Sequence, residues 1–306
     1  MSGSYEREKQ KKCLIVAPLF GLANRLRVVA SASIISDLTH RKLFLDWKAD
    51  ETCGARWSDL FENHIPEYKC ESDQVVRCYE NKINNFESPG PGDLVYDSAN
   101  IIKVKTCFNF KPPWMAMDSY FEKKSQFYRR LIPVEPVRKT LEELKKKYFI
   151  NNRVVGVHIR RADFMLAGDP PHFVSPTDLF IERIRQLIKI HPSAIFFLST
   201  DDLKEQRVFL DEFKEKVFCA PKREVRRNDV AGIREALVDW IALSESCLIL
   251  RSAGTSFSRE AALVNQIPRE TIKRPFWPYN RYRYWKEAFR RQLHLFKKRH
   301  FGPIIQ

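Results

Sequence analysis

Short apolar runs alternate with longer amphipathic segments along most of the chain. Residues 13–17 form an apolar run, and residues 25–37 carry apolar side chains at helical spacing after an intervening loop. Residues 42–46 are again strand-like, so the opening of the chain predicts a strand–helix–strand unit. Residues 50–110 are expected to be irregular with a few helices, because turn-forming residues interrupt their apolar pieces.

The alternation is more regular in the second half of the chain. We expect strands over residues 154–159, 194–198, 216–219 and 247–250, and helices over residues 176–190, 202–214, 233–244 and 256–264. Ser175 as N-cap and Pro176 at the first helical position favour the start of the first of these helices. Right-handed crossovers between such elements produce a parallel sheet covered on both faces. The predicted fold class is α/β, with two Rossmann-like domains that face one another across a cleft.

The length of 306 residues favours two domains, because a single core usually stops growing near this size. Residues 1–150 are predicted to form the first domain and residues 151–275 the second. A polar helix over residues 136–148 ends at a natural linker, residues 151–152. Residues 276–306 form a separate basic, aromatic tail.

The composition is that of an ordinary folded protein, with 44% hydrophobic residues, 30% charged residues and a formal net charge of +15. No window reaches the roughly 18 uninterrupted apolar residues that a membrane span requires. Residues 1–12 are charged and precede no apolar signal-peptide core, so we expect a cytoplasmic protein. The 7 cysteines include no CxxC pair and are expected to be free thiols, although those within residues 53–107 would suit a disulfide framework in a secreted protein.

The strand over residues 154–159 ends in an unusual set of polar residues. His158, Arg160, Arg161 and Asp163 follow there, and strand alternation places His158 and Arg160 on one face and Arg161 on the other. Ligands of open α/β sheets bind beyond the carboxyl ends of the strands. A guanidinium at this place suits a diphosphate, because it stays charged and donates paired hydrogen bonds. The structural alternative is an arginine–aspartate pair that stabilises the sheet edge.

Two acidic groups lie near the next strand end. Residues 199–202 supply two hydroxyls and the carboxylates of Asp201 and Asp202, although such a segment before a helix is also an ordinary N-cap. Asp239 lies on an amphipathic helix among apolar residues. It could accept hydrogen bonds from a guanine base, or it could simply face solvent.

Two turns complete the set of candidate segments. Residues 251–259 form a Gly-containing turn before a helix, where backbone N–H groups favour an anion; a capped helix start is the alternative. After the first strand, Gly21 permits a tight turn, and Asn24 and Arg25 offer hydrogen-bond donors. This turn is not a GxGxxG fingerprint, which sets aside an NAD(P)-dependent dehydrogenase.

Four segments in this order carry a resemblance to a known family. They are GLANRL at residues 21–26, HIRRAD at 158–163, FLSTDD at 197–202 and SAGTSFSREAAL at 252–263. The chain resembles the GT-B glycosyltransferases of the fucosyltransferase superfamily, which contains α1,6-, α1,2- and protein O-fucosyltransferases. The resemblance covers residues 13–47 and 150–268.

The resemblance implies that the first domain lies on the acceptor side and that the second binds a nucleotide sugar. It implies that Arg160 holds the β-phosphate of the donor. The other donor-binding residues that it implies are Arg161 beside Arg160, His158 and Asp239 at the nucleotide, Thr255, Ser256 and Phe257 at the diphosphate, Asp201 and Asp202 near the nucleoside, and Gly21, Asn24 and Arg25 across the cleft.

An inverting transfer needs stabilisation of the departing diphosphate and a base for the acceptor hydroxyl. Arginine can do the first without a metal, and the chain contains no Asp-x-Asp triplet, so we expect no metal and no cofactor besides the donor. The resemblance implies an acidic base on the loop after Arg161, with Asp169 first and Asp163 second. It also implies GDP-fucose as the donor and an oligosaccharide or glycoprotein acceptor, with a UDP-sugar such as UDP-xylose as the alternative donor.

The basic tail suggests a competing class of function. Residues 279–300 interleave arginine and lysine with aromatic residues, a composition that can bind nucleic acid or an anionic membrane. An amphipathic closing helix explains the same pattern, and the resemblance implies that the tail over residues 276–306 crosses back to the first domain. A non-catalytic nucleic-acid or membrane-surface protein would leave the four ordered segments unexplained. We therefore expect at most weak association with anionic membranes, and no nucleic-acid partner.

Overall fold

The structure is a computed structural model that describes residues 12–68, 77–80, 91–161, 174–222 and 226–274. Its strands are β1 (Cys13–Pro18), β2 (Lys42–Leu45), β3 (Arg77–Glu80), β4 (Ile101–Thr106), β5 (Val154–Ile159), β6 (Ile195–Thr200), β7 (Val217–Phe218), β8 (Leu248–Ser252) and β9 (Arg269–Ile272). Its α-helices are α1 (Leu22–Thr39), α2 (Met117–Arg129), α3 (Glu135–Leu144), α4 (Thr177–Ile190), α5 (Leu203–Phe213), α6 (Val230–Ser244) and α7 (Phe257–Val264). A π-helical turn, Lys145–Phe149, extends α3.

The first sheet is parallel, with strand order β2-β1-β4-β3. The predicted strand–helix–strand unit is confirmed as β1, α1 and β2, and β1 is buried from Leu14 to Pro18. The expectation of irregular structure over residues 50–110 is wrong for β3 and β4, because β4 pairs with β1 along its whole length. The carboxyl ends of these two central strands therefore lie side by side, with Pro18 opposite Thr106.

The polar character of β4 explains why its pattern did not indicate a central strand. Ile102 and Val104 are fully buried, whereas the alternating Lys103 and Lys105 are only partly covered. Both ammonium groups form ion pairs, Lys103 with Asp46 and Lys105 with Glu80.

The second sheet is also parallel, with order β7-β6-β5-β8-β9. The predicted strands and helices of this half are confirmed as β5 to β8 and α4 to α7, whereas β9 was not expected. Helix α4 begins at Thr177 with Pro176 at the N-cap, so the prediction of Ser175 as N-cap is wrong. Ser175 Oγ instead accepts a hydrogen bond of 3.0 Å from the backbone N–H of Ala253.

The largest apolar cluster of the fold spans both halves of the chain, and a second cluster lies within the second half. The shared cluster includes Val16 and Leu26 from the first half and Phe197 and Val238 from the second. The seam between the two halves of the chain also contains a fully buried ion pair. Lys124 Nζ on α2 lies 2.5 Å from Glu260 Oε2 on α7. Tyr128 and Asn109 also bond Glu260.

The six described cysteines are free thiols. Across the described ranges, no helix combines the length and apolar character needed to cross a bilayer.

Candidate functional site

The carboxyl ends of the two sheets come into direct contact at the turn before α7. Ser256 Oγ, in the turn before α7, donates a hydrogen bond of 2.9 Å to Asn24 Oδ1 in the first turn of α1. The contact joins the GLANRL and SAGTSFS segments, which are 232 positions apart. Two of the four segments found in the sequence therefore lie against one another across the seam.

The turn after β1 differs in detail from its sequence-based interpretation. Phe20 adopts the left-handed region, with φ of 65°, whereas Gly21 has φ of −68°. The backbone freedom of glycine is therefore not what this turn uses. Phe20 keeps its side chain 41% exposed despite this unusual backbone, a combination more typical of functional loops than of cores.

Arg25 lies under this turn and is 1% exposed. Its guanidinium donates to the carbonyl oxygens of Phe20 and Lys48 and to the carboxylate of Asp50. Hydrogen bonds from Thr52 and the charge of Arg25 outweigh burial and lower the pKa of Asp50. Arg25 thus fixes the turn after β1 and the loop around Asp50 within the first half of the chain.

Arg160 lies immediately beyond the carboxyl end of β5. Its Nη1 is 2.6 Å from Asp201 Oδ2, and its side chain remains 23% exposed. Arg227 bonds the same oxygen of Asp201 at 3.2 Å, so one carboxylate holds two guanidinium groups at the ends of β5 and β6. The backbone N–H of Arg160 donates to Ser252 Oγ at 3.1 Å, which ties it to the turn after β8.

Arg161 turns to the opposite face, as strand alternation predicts. Its guanidinium bonds Glu205 at 2.7 Å and Thr177 at 3.2 Å, and also donates to the carbonyl of Ser175. The side chain is 6% exposed. Its geometry supports the ends of β5 and α4 from beneath, whereas Arg160 keeps an exposed surface.

His158 lies one residue inside the strand and is buried. Its ring stacks on Phe257 with a centroid separation of 5.0 Å, and its Nδ1 lies 3.0 Å from Ser258 Oγ. Burial, together with the nearby charges of Arg160, Arg251 and Lys222, holds the pKa of His158 well below its usual value. The imidazole is therefore neutral at physiological pH.

The acids near β6 divide between two environments. Asp202 caps α5, because its Oδ1 accepts from the backbone N–H groups of Lys204 and Glu205. Asp239 is buried, and its Oδ2 bonds Ser199 at 2.7 Å and Lys222 at 2.5 Å. Burial raises the pKa of Asp239 against the opposing effects of Lys222 and Ser199. Its Oδ1 has no hydrogen-bond partner in the part of the chain that the structure describes.

The turn after β8 is held from below by Arg251, which opens the candidate segment 251–259 but was assigned no role from the sequence. Its Nη2 donates to the carbonyl of Thr255 at 2.5 Å and its Nε to Ser258 Oγ at 3.3 Å. Thr255 Oγ1 accepts from the N–H of Phe257, the first residue of α7, at 3.2 Å, whereas the N-cap residue Ser256 makes no capping bond with its side chain. Several polar groups therefore converge on this turn.

Sequence reasoning also missed Lys222 and Arg227, which bond Asp239 and Asp201. Both lie in the loop after β7, and loops at the carboxyl ends of strands are expected to border a ligand site. Which acids they pair with could not be predicted, because those acids lie on other elements. The predicted bases Asp163 and Asp169, and the basic tail, lie outside the described residues. Within those residues, no group of three or more histidine, cysteine, aspartate or glutamate side chains could hold a metal ion.

Several solved structures similar to this chain are fucosyltransferases. NodZ α-1,6-fucosyltransferase soaked with GDP-fucose is 18% identical to this chain, with a TM-score of 0.57 over 83% of this chain and 93% of that chain; NodZ comes from Bradyrhizobium. A variant of FUT1 from Arabidopsis thaliana in complex with GDP is 14% identical, with a TM-score of 0.58 over 90% of this chain and 72% of that one. POFUT1 in complex with GDP is 9% identical, with a TM-score of 0.52 over 86% of this chain and 99% of that one.

No protein-family model matches the chain, and no curated protein matches it in sequence. The similarity lies in the arrangement of the two parallel sheets and their helices. The chain therefore has the GT-B fold of these fucosyltransferases, with two Rossmann-like units facing one another.

Proposed function

We propose that the protein is an inverting, metal-independent glycosyltransferase that moves fucose from GDP-fucose to a hydroxyl group of an oligosaccharide or glycoprotein. One observation carries the proposal: Arg160 lies beyond the end of β5, bonded through its backbone to Ser252, while the adjoining turn contacts Asn24 of the opposite half. A guanidinium, a helix N-terminus and the facing unit thus border one space. This is the set of groups that a sugar diphosphate requires.

The diphosphate is the leaving group of the proposed reaction. The bond from the anomeric carbon to the β-phosphate oxygen breaks as the acceptor oxygen forms a bond to the same carbon, and GDP leaves with the electron pair. Arg160 would stabilise the charge that grows on the diphosphate, and the backbone N–H groups of residues 254–256 would share it. Asp201 orients Arg160 for this role, because it fixes Nη1 of the guanidinium at the carboxyl end of the sheet.

The proton of the acceptor hydroxyl needs a base. We assign it to Asp169, with Asp163 as the second candidate, on the loop after Arg161. Asp169→Ala should abolish transfer and leave GDP affinity unchanged, because the base acts on the acceptor rather than on the nucleotide. Isothermal titration with GDP and a transfer assay on the same preparation check both parts, and transfer at the wild-type rate would remove Asp169 from the mechanism.

The donor assignment rests on the fold: three solved structures that share it carry GDP or GDP-fucose. The carboxylate of Asp239 adds no support, because it is sealed inside the protein beside Ser199 and Lys222. A UDP-sugar remains the second candidate donor on the same fold.

Ligand binding separates these candidates. Thermal-shift measurements with GDP, UDP and dTDP should show a rise in Tm with GDP alone, because a ligand that binds the native state stabilises it by mass action. A response to UDP alone would replace GDP-fucose by a UDP-sugar. No response to any nucleotide, with salt-dependent binding to nucleic acid or anionic vesicles, would overturn the enzyme proposal.

Arg160→Ala tests the central residue. Loss of charge-assisted hydrogen bonds should weaken GDP binding by about 10- to 150-fold. Arg185→Ala is the matched control, because Arg185 is exposed and pairs with Glu212 on the surface of the same unit. Equal GDP affinity in the two variants would sink the proposed role of Arg160.

A further inference from the structure

A row of polar side chains crosses the second sheet just inside the candidate site. His158 on β5 lies opposite Ser199 on β6 and opposite Arg251 on β8. Residues in register on neighbouring strands share a face of the sheet. All three side chains are buried, and helices α6 and α7 meet the row with Asp239 and Ser258.

Arg251 brings an uncompensated charge into this row. Its hydrogen bonds go to the hydroxyls of Ser258 and Thr271 and to the carbonyl of Thr255, and no carboxylate pairs with it among the described residues. Burial, with repulsion from Arg269 and Arg259, lowers the pKa of Arg251 to about 10, so it remains charged at neutral pH. A buried cation held only by neutral groups destabilises the fold unless an anion comes near, and guanidinium can only donate.

Ser258 connects this charge to His158. It is fully buried, and its Oγ has two hydrogen-bond neighbours among the described residues, Arg251 Nε at 3.3 Å and His158 Nδ1 at 3.0 Å. Because Arg251 must donate to Oγ, the hydroxyl hydrogen has Nδ1 as its acceptor. With the proton on Nδ1 instead, the buried hydroxyl would be left without an acceptor, which costs free energy.

The other ring nitrogen of His158 is then the protonated one. Nε2 makes no hydrogen bond with a described residue, and it is not among the fully sealed side-chain atoms that lack a partner. It therefore retains a little exposed surface on a ring that is 5% exposed, and stacking on Phe257 holds the plane of that ring.

We propose that Arg251 is a positioning residue that, through Ser258, holds His158 as the neutral tautomer with its proton on Nε2, so that this N–H group donates to an anionic oxygen of the ligand. That this oxygen belongs to the donor diphosphate rests on the proposed function; the tautomer does not. The buried positive charge and the aimed N–H group favour the same anion.

Nitrogen-15 NMR of histidine-labelled protein tests the tautomer without any ligand. The His158 signal, identified by its loss in His158→Gln, should show an unprotonated Nδ1 and a protonated Nε2. Ser258→Ala and Arg251→Met should each produce a mixture of tautomers, and Arg251→Lys, which keeps a donor-only group, should restore the wild-type form. A protonated Nδ1 in the wild type, or an unchanged tautomer in both breaking variants, would overturn the relay.

Binding measurements test the ligand contact separately. Ser258→Ala should weaken GDP binding about tenfold, the loss expected for one hydrogen bond to a charged group, and should change guanosine binding less than twofold. Circular dichroism confirms that each variant is folded. Equal losses for GDP and guanosine would overturn the contact with the diphosphate. Wild-type protein that has the expected tautomer but binds no GDP would refute the proposed function and leave the relay standing.

Discussion

At the scale of single residues, the neutral state of His158 has a measurable effect on stability. Its pKa lies well below the usual value in the folded protein, whereas in the unfolded chain it is near 6.5. Below that pH the unfolded chain binds a proton that the folded protein does not. The free energy of unfolding must therefore fall as the pH falls through about 6.5.

Urea unfolding of wild type and His158→Gln at pH 7, 6 and 5 checks this effect. The wild type should lose up to about 1.4 kcal/mol per pH unit more than the variant, the contribution of one proton. His64 is exposed, so His64→Gln serves as the control and should keep the wild-type slope. Parallel slopes for wild type and His158→Gln would mean that the ring takes up its proton over the same pH range in the folded protein as in the unfolded chain.

Asp202 distinguishes a cap from a ligand contact. Its Oδ1 accepts from Lys204 N at 2.7 Å and from Glu205 N at 3.4 Å, so Asp202→Ala should lower the free energy of unfolding by about 1 kcal/mol. Asp202→Asn should retain most of the stability, because asparagine caps equally well. Thermal or urea unfolding measures both. Weaker GDP binding by the stable asparagine variant would instead assign the carboxylate to the nucleoside.

The motifs could be read from the sequence residue by residue, but their partners could not. Arg160 and Arg161 are adjacent, and strand alternation correctly separates them onto two faces, one toward Asp201 and the other toward Glu205. That Asp201 also binds Arg227 depends on a loop between β7 and α6. Pairings of this kind form only when the sheet brings distant segments together.

At the scale of elements, we expect the ion pair between α2 and α7 to be the contact whose loss destabilises the fold most. Lys124 and Glu260 have no exposed side-chain surface, and burial outweighs the attraction of Glu260 to lower the pKa of Lys124 to about 8. The attraction of Lys124 outweighs burial to lower the pKa of Glu260. Removing one partner leaves the other buried without compensation.

Glu260→Gln should therefore lower the free energy of unfolding by about 3 to 5 kcal/mol in urea. Glu122→Gln on the exposed face of α2 is the matched control, because its pair with Arg129 is solvated and should contribute less than about 1 kcal/mol. A loss at Glu260 no larger than that of the control would show that water reaches the pair.

Elements with a strong apolar period were predictable, and those stabilised by charge were not. The buried run of β5 and the periodic helix α6 are found by pattern alone. In β4, the two buried apolar residues alternate with lysines, and acidic residues from other elements neutralise the charges of these lysines. The short edge strand β9 buries one residue, Ile272, and so carries almost no signal.

At the scale of the whole molecule, the loop at Gly54 sets how closely the two units approach. Its N–H donates to the carbonyl of Arg227 at 2.6 Å. A Cβ atom added to Gly54 would lie 2.1 Å from the backbone carbon of Asn228, so the backbones themselves would have to separate.

Gly54→Ala should lower the free energy of unfolding by about 1 to 3 kcal/mol and weaken GDP binding, because the displaced segment carries Arg227 and its bond to Asp201. Gly21→Ala is the control for stability, since its added Cβ would meet the carbonyl of Thr52 at an ordinary 3.7 Å. Calorimetry and titration on both variants check the expectation. An equal free energy of unfolding for the two variants would mean that the backbones at Gly54 and Asn228 move apart without a cost in stability.

The common apolar cluster across the seam also limits how the chain can be divided. Val16 and Leu26 belong to the same cluster as Phe197 and Val238, so a fragment cut at residues 151–152 would expose part of its own interior to water and would tend to aggregate. Chimeras that exchange one half for that of a relative must therefore transplant both sides of the junction together, including the residues that meet Lys124 and Gly54.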